Sequence, residues 1–354
     1  MSTADVCAAI LWAGVTLYAI FGGADFGAGV WDLLADLHIT GRAGARPRIS
    51  AERVRGQIDR SIGPVWEANH VWLIFVLVVL WTAFPTAFSA VMTTLYIPLA
   101  LAALGIVLRG SGFAFRHALP GPVQRRATTV FGISSVLTPF FMGTVVGAIA
   151  SGEVPAAGDG DPTGSWIGFL PLVTGVLFVL VAAYTAAIFL VRDSGAAGDQ
   201  DLRDYFAGRA LVAAVIAGAA AVVGVIALHA DARYVYDGLT SWPGIALVIV
   251  SGVCGLAALG LLLSGRSLGL RMAAVGAGTA VIWGYFAAAF PYMLPTSLKI
   301  SDAAGASATL TEVIIVFAVA AVTVVPALIL LYTLSQRQAL EGYSATSDTT
   351  SPRQ

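Results

Sequence analysis

Apolar runs of about 20 residues, the length that crosses a bilayer core, recur from one end of this chain to the other. In hydrocarbon no water satisfies backbone N–H and C=O groups, so each run must close its own hydrogen bonds as a helix. Hydropathy marks nine such spans, near 7–31, 64–84, 92–112, 128–150, 167–191, 208–229, 243–264, 270–292 and 310–336. The expected fold class is therefore an all-α polytopic membrane protein with nine transmembrane helices. Composition points the same way. Hydrophobic residues make up 58% and charged residues 11%, where a soluble domain carries about 25% charge.

Residues 1–338 read as a single integral-membrane helical domain, and 339–354 as a polar, disordered tail. The opening MSTAD has no Lys or Arg and no A-x-A-like cleavage site follows, so the first span reads as retained. The Gly/Asp/Pro stretch 151–165 reads as a loop between spans. Cys7 and Cys254 lie far apart in apolar segments and form no metal or redox spacing. No P-loop, dinucleotide-binding glycine pattern or sequence repeat is visible, and nothing suggests a nucleic-acid partner.

Basic residues set the expected orientation. Loop 32–63 holds Arg42, Arg46, Arg48, Arg53, Arg55 and Arg60, and 109–127 holds Arg109, Arg116, Arg125 and Arg126. Segments 192–209 and 264–271 and the tail continue the series, whereas the alternate loops hold only Arg233 and Lys299. Seventeen basic residues against two predict that the first set of loops is cytoplasmic. The N-terminus is then outside and the C-terminus cytoplasmic.

Three ionisable residues stand in or beside the early spans: Asp25 in span 1, Glu67 at the start of span 2, and Arg109 near the end of span 3. Asp25 lies 18 residues past Cys7, about 27 Å along a helix, and the alternating direction of the spans brings Glu67 and Arg109 to a similar depth. Consecutive helices tend to be neighbours, so the three can share one polar cluster. Two readings stay open. Asp25 with Arg109 can be a structural ion pair, with Glu67 an ordinary boundary charge favoured by the helix dipole. Alternatively, Asp25 and Glu67 form a proton relay with Arg109 as electrostatic partner.

His38 and His117 fall in loops, His229 at a helix end, and His70 within span 2. No two imidazoles face each other at bilayer depth as bis-His haem ligation requires. No haem or metal site is expected in this chain, and Glu312 reads as a boundary charge.

The stretch GPVWEANHVWLI (63–74), followed by AFP, resembles the signature of subunit II of cytochrome bd-type quinol oxidases. GGADFGAGVWDLL (22–34), LRGSGFAFRH (108–117), FPYMLPTSL (290–298) and the last span TLTEVIIVFAVAAVTVVPALILLYTL match in the same order. Between about 150 and 270 the likeness is in hydropathy alone. The resemblance implies two four-helix bundles plus one peripheral helix. It implies a heterodimer with a haem-bearing subunit I, where haem b and haem d serve quinol oxidation and the reduction of oxygen to water. This chain would bind no cofactor of its own, with a structural quinone left open. A small single-span accessory subunit, lipid and a bacterial cell membrane complete the expected setting. Acidic residues at the positions of Asp25 and Glu67 are linked by the resemblance to proton delivery, and Arg109 to haem environment or subunit contact. Trp66 and Asn69 belong to the same motif. Gly22 departs from the pattern, since the family often carries another Asp there, and Glu67 replaces an Asp common in relatives. The alternatives from other classes are a proton-coupled secondary transporter and a pure scaffold subunit.

Overall fold

The computed structural model describes residues 2–35, 49–118 and 121–336, apart from the side chains at 62–68, 117, 325, 328–329, 331–332 and 334–336. Expectations for the tail 339–354, for His38, Arg42, Arg46 and Arg48, and for the side chains of Trp66, Glu67 and His117 lie outside the described residues.

In chain order the elements are α1 (Thr3–Leu34), α2 (Ala51–Ala83), α3 (Pro85–Thr94), α4 (Tyr96–Ala118), α5 (Pro122–Ala150), α6 (Gly164–Ile167), α7 (Phe169–Ala196) and α8 (Gln200–Asp231). There follow α9 (Arg233–Leu239), α10 (Trp242–Leu263), α11 (Leu270–Ala289), the antiparallel pair β1 (Tyr292–Leu294) and β2 (Leu298–Lys299), α12 (Ile300–Ala303) and α13 (Ser307–Gln336). Among the described residues, eight helices are long and apolar enough to cross a membrane. A ninth span results if the bent pair Asn69–Ala83 and Pro85–Thr94 counts as one.

Helix starts follow local chemistry more than hydropathy. α1 opens with a capping box: Ser2 Oγ accepts from Asp5 N at 3.1 Å and Asp5 Oδ2 accepts from Ser2 N at 2.7 Å. Span 2 is expected from 64, but α2 begins at Ala51, where Ser50 Oγ accepts from Arg53 N at 3.2 Å. Its polar first half carries Val54 and Ile58, both buried at helical spacing, an amphipathic stripe that hydropathy averaging conceals. α8 likewise starts at Gln200, ahead of the expected 208, because Asp199 Oδ1 caps Leu202 N at 3.0 Å.

Asp199 also receives Arg53 at 2.7 Å, tying the start of α2 to the start of α8. The Leu202 N–H, and then Arg53, hold its carboxyl below the usual carboxylate range. A lowered folded pKa places this contribution at neutral pH and removes it as pH falls through that pKa.

The chain bends by 116° after Ala83. Phe84 leaves helical geometry (φ −135°, ψ 61°), and Pro85 occupies the first position of α3, where a missing N–H leaves nothing unsatisfied.

α1 runs through the middle of the packing, against α2, α5 and α7, while α4 lies along α5 and α8 along α7. The approach of α1 to α7 depends on Gly27: a Cβ there would lie 1.9 Å from the Ala182 carbonyl oxygen. One turn further, Trp31 Nε1 donates to the Ala183 carbonyl at 2.8 Å. By contrast, α10 and α13 leave much of their apolar surface exposed, including Leu256 and Val322, as suits lipid or a partner chain. Gly27→Val is expected to lower the stability of the folded chain by about 1–3 kcal/mol through overpacking. Fluorescence-detected thermal melting in detergent measures this; an unchanged melting temperature contradicts the close α1–α7 contact.

Candidate functional site

Asp25 and Arg109, predicted to share a cluster, are in direct contact. Arg109 Nη2 lies 2.6 Å from Asp25 Oδ1 and Nη1 lies 2.8 Å from Oδ2, a bidentate pair. Asp25 is 1% exposed and Arg109 2%. Two of the three remaining N–H donors are also used: Nη2 reaches the Asp25 carbonyl at 3.0 Å, and Nε donates to Ser135 Oγ at 3.0 Å. The rings of Phe26 and Phe131 lie 5.1 and 4.8 Å from the guanidinium carbon.

Three helices build this arrangement. α1 and α4 each pack along α5, and Arg109 bridges from α4 to α1 past Phe131 and Ser135 of α5. Gly29 makes this possible, because a Cβ there would lie 2.1 Å from Ser135 Oγ. Ser135 in turn donates to the Phe131 carbonyl at 2.6 Å, leaving its oxygen free to accept from Arg109.

α2 contributes Asn69, whose Nδ2 lies 3.5 Å from Asp25 Oδ2. Trp66 and Glu67 precede it on the same helix. His70 is partly buried, and Glu312 is exposed near the start of α13.

A second ionic group was not anticipated from the sequence. Asp32 is fully buried and receives Arg55 Nε at 2.9 Å and Arg116 Nη1. Arg116 also donates through Nη2 to Asp59, whose side chain is 32% exposed. The four charges balance and join α1, α2 and α4. Arg116 lies over Phe131 at 4.2 Å, so this one ring borders both buried arginines.

The two groups share a register. Asp25 pairs with Arg109 and Asp32 with Arg116, both across 84 residues. Seven residues separate the members on each helix, about 10.5 Å of rise. Asp32 and Arg116 lie at the loop margins of their spans, where hydropathy counts them as boundary charges. The repeated spacing of seven in both helices is the signal that would have revealed them.

These features define a polytopic helical membrane protein whose first three spans are locked together by buried carboxylate–guanidinium pairs. The chain belongs to the cytochrome bd terminal oxidase subunit II family, whose profile matches residues 3–335. It is 23% identical, over 346 residues, to the chain assigned as cytochrome bd menaquinol oxidase subunit II in Bacillus subtilis (strain 168), covering 91% of this chain and 92% of that one. A shorter likeness, 35% over 65 residues, covers 18% of this chain and 19% of cytochrome bd ubiquinol oxidase subunit 2 of the same organism. The fold is similar to a chain of the bd oxidase from Geobacillus thermodenitrificans, with a TM-score of 0.74 and 22% identity, covering 94% of this chain and 98% of the other.

Removing one member of a buried pair leaves an uncompensated charge, a loss of about 3–5 kcal/mol. Asp25→Asn alone is therefore expected to reduce the yield of folded protein sharply. The double change Asp25→Asn with Arg109→Gln should restore most of it. Size-exclusion yield from matched cultures measures both, and a double variant no better than the single one contradicts the pairing.

Proposed function

We propose that this chain is the haem-free membrane subunit of a quinol:oxygen oxidoreductase in a bacterial cell membrane. Its partner is a subunit I that carries haem b and haem d, oxidises quinol and reduces oxygen to water. The arginine-rich end of the helices faces the cytoplasm, a reading supported by the excess of basic residues in that set of loops.

Within that complex the chain supports proton delivery from the cytoplasmic side. The observation that carries this is the enclosed Asp25–Arg109 pair with Asn69 of the 63–74 motif beside it. An electron arriving in a dry haem pocket is balanced by a proton, and a fixed charge environment near the path lowers the barrier to that proton.

The pairing geometry favours a division of labour between the two carboxylates. Both oxygens of Asp25 are engaged by one guanidinium, which suits a fixed counter-charge. Glu67, two residues before Asn69 on α2, is then the exchanging group of the relay. Haem chemistry belongs to the partner, and this chain contributes assembly, fixed charge and proton passage.

Glu67→Gln in the intact complex is expected to slow oxygen consumption per haem by about tenfold or more while haem content and subunit ratio stay at wild-type levels. Oxygen-electrode rates on the purified complex decide it: full turnover in Glu67→Gln removes the relay role.

A further inference from the structure

Asn69 is the polar side chain at the buried pair whose chemistry is half used. It is 2% exposed. Its Nδ2 faces Asp25 Oδ2 at 3.5 Å, while its Oδ1 is enclosed with no hydrogen-bond partner among the described residues. Exchanging the amide oxygen and nitrogen would set an oxygen against the carboxylate, so the network fixes which way the amide points. An enclosed carbonyl oxygen without a donor is unfavourable, and such groups in native folds call for an explanation.

The seat of this amide is shaped for it. Gly22 lies three residues before Asp25, on the same face of α1. A Cβ at Gly22 would lie 3.1 Å from both amide atoms of Asn69 and 3.3 Å from Tyr18 Cε2. Glycine thus lets the amide of α2 lie against α1 directly beside the carboxylate.

We infer that Asn69 is a positioning residue of the proton path, holding Asp25 through Nδ2 and accepting through Oδ1 the hydrogen bond of a proton-bearing O–H group. This inference rests on the proton-delivery reading above. Asn69 takes up no proton. The amide orients an O–H donor at the edge of the Asp25–Arg109 field, and the proton leaves that donor for the next oxygen along the path. The donor is a water molecule, which regains a proton from the preceding oxygen of the path as it passes one on. Gly22 is the residue that keeps the acceptor in place.

The test uses the complete oxidase, with oxygen consumption normalised to haem. Asn69→Leu is expected to lower kcat by about tenfold, the scale of a misplaced reacting group, with quinol KM unchanged and a larger solvent deuterium isotope effect. Asn69→Ser, which keeps a short acceptor, should recover part of the rate. Gly22→Ala, which leaves every polar group present but presses on the amide, should shift rate and isotope effect in the direction of Asn69→Leu.

Full kcat in Asn69→Leu overturns the inference, as does a loss that follows haem content or that Asn69→Ser fails to relieve. Full turnover in Glu67→Gln alone removes the proton reading as a whole. Slow Glu67→Gln beside full-rate Asn69→Leu removes only the role of Asn69.

Discussion

A carboxylate and a guanidinium enclosed together among apolar helices dictate much of what surrounds them. Neither Asp25 nor Arg109 can be left without the other, because a lone buried charge is far more costly than the pair. The pair also favours partners for the other donors of the guanidinium. That preference accounts for Ser135 on the Nε side, for the second use of Nη2 at the Asp25 carbonyl, and for Gly29, which lets α5 approach closely enough to present Ser135. Phe131 extends the same logic to the second ionic group, bordering Arg116 as well as Arg109.

The sequence revealed the interior charges better than the margins. Asp25 stands among apolar residues and glycines, where nothing but a partner or a function accounts for it, and Arg109 was within reach at matching depth. Asp32 and Arg116 were hidden because a charge at the end of an apolar run has an ordinary explanation in the headgroup region. Only the contact between helices shows that Asp32 is sealed away. The early starts of α2 and α8 were missed for a related reason. Residues 51–63 and 200–207 are polar enough to lower any hydropathy average, yet Ser50 and Asp199 supply caps and Val54 and Ile58 supply a buried stripe. The bend at Phe84 had only Pro85 to announce it, and a proline marks a helix end without giving an angle.

Family membership and the local chemistry bear on different parts of the chain. The likeness in fold extends over nearly its full length at low identity, as expected where lipid contact fixes hydropathy but not residue type. The paired charges, Asn69 and the glycines that admit them lie within α1, α2, α4 and α5. The later helices contribute surface and support, with α7 packed on α1 and α5. A site confined to the first half leaves α10 and α13 free to meet lipid or another chain.

The shared separation of 84 residues between partners has a consequence for biosynthesis. At roughly 5–20 residues per second, about 4–17 s elapse between the synthesis of each aspartate and that of its arginine. During that interval Asp25 enters the membrane without its counter-ion, an unfavourable state in hydrocarbon, whereas Asp32 can meet Arg55 after only 23 residues. The Asp25–Arg109 pair can close only after the fourth helix has been made, so the pace of the ribosome sets the earliest moment at which the interior of α1 is neutralised.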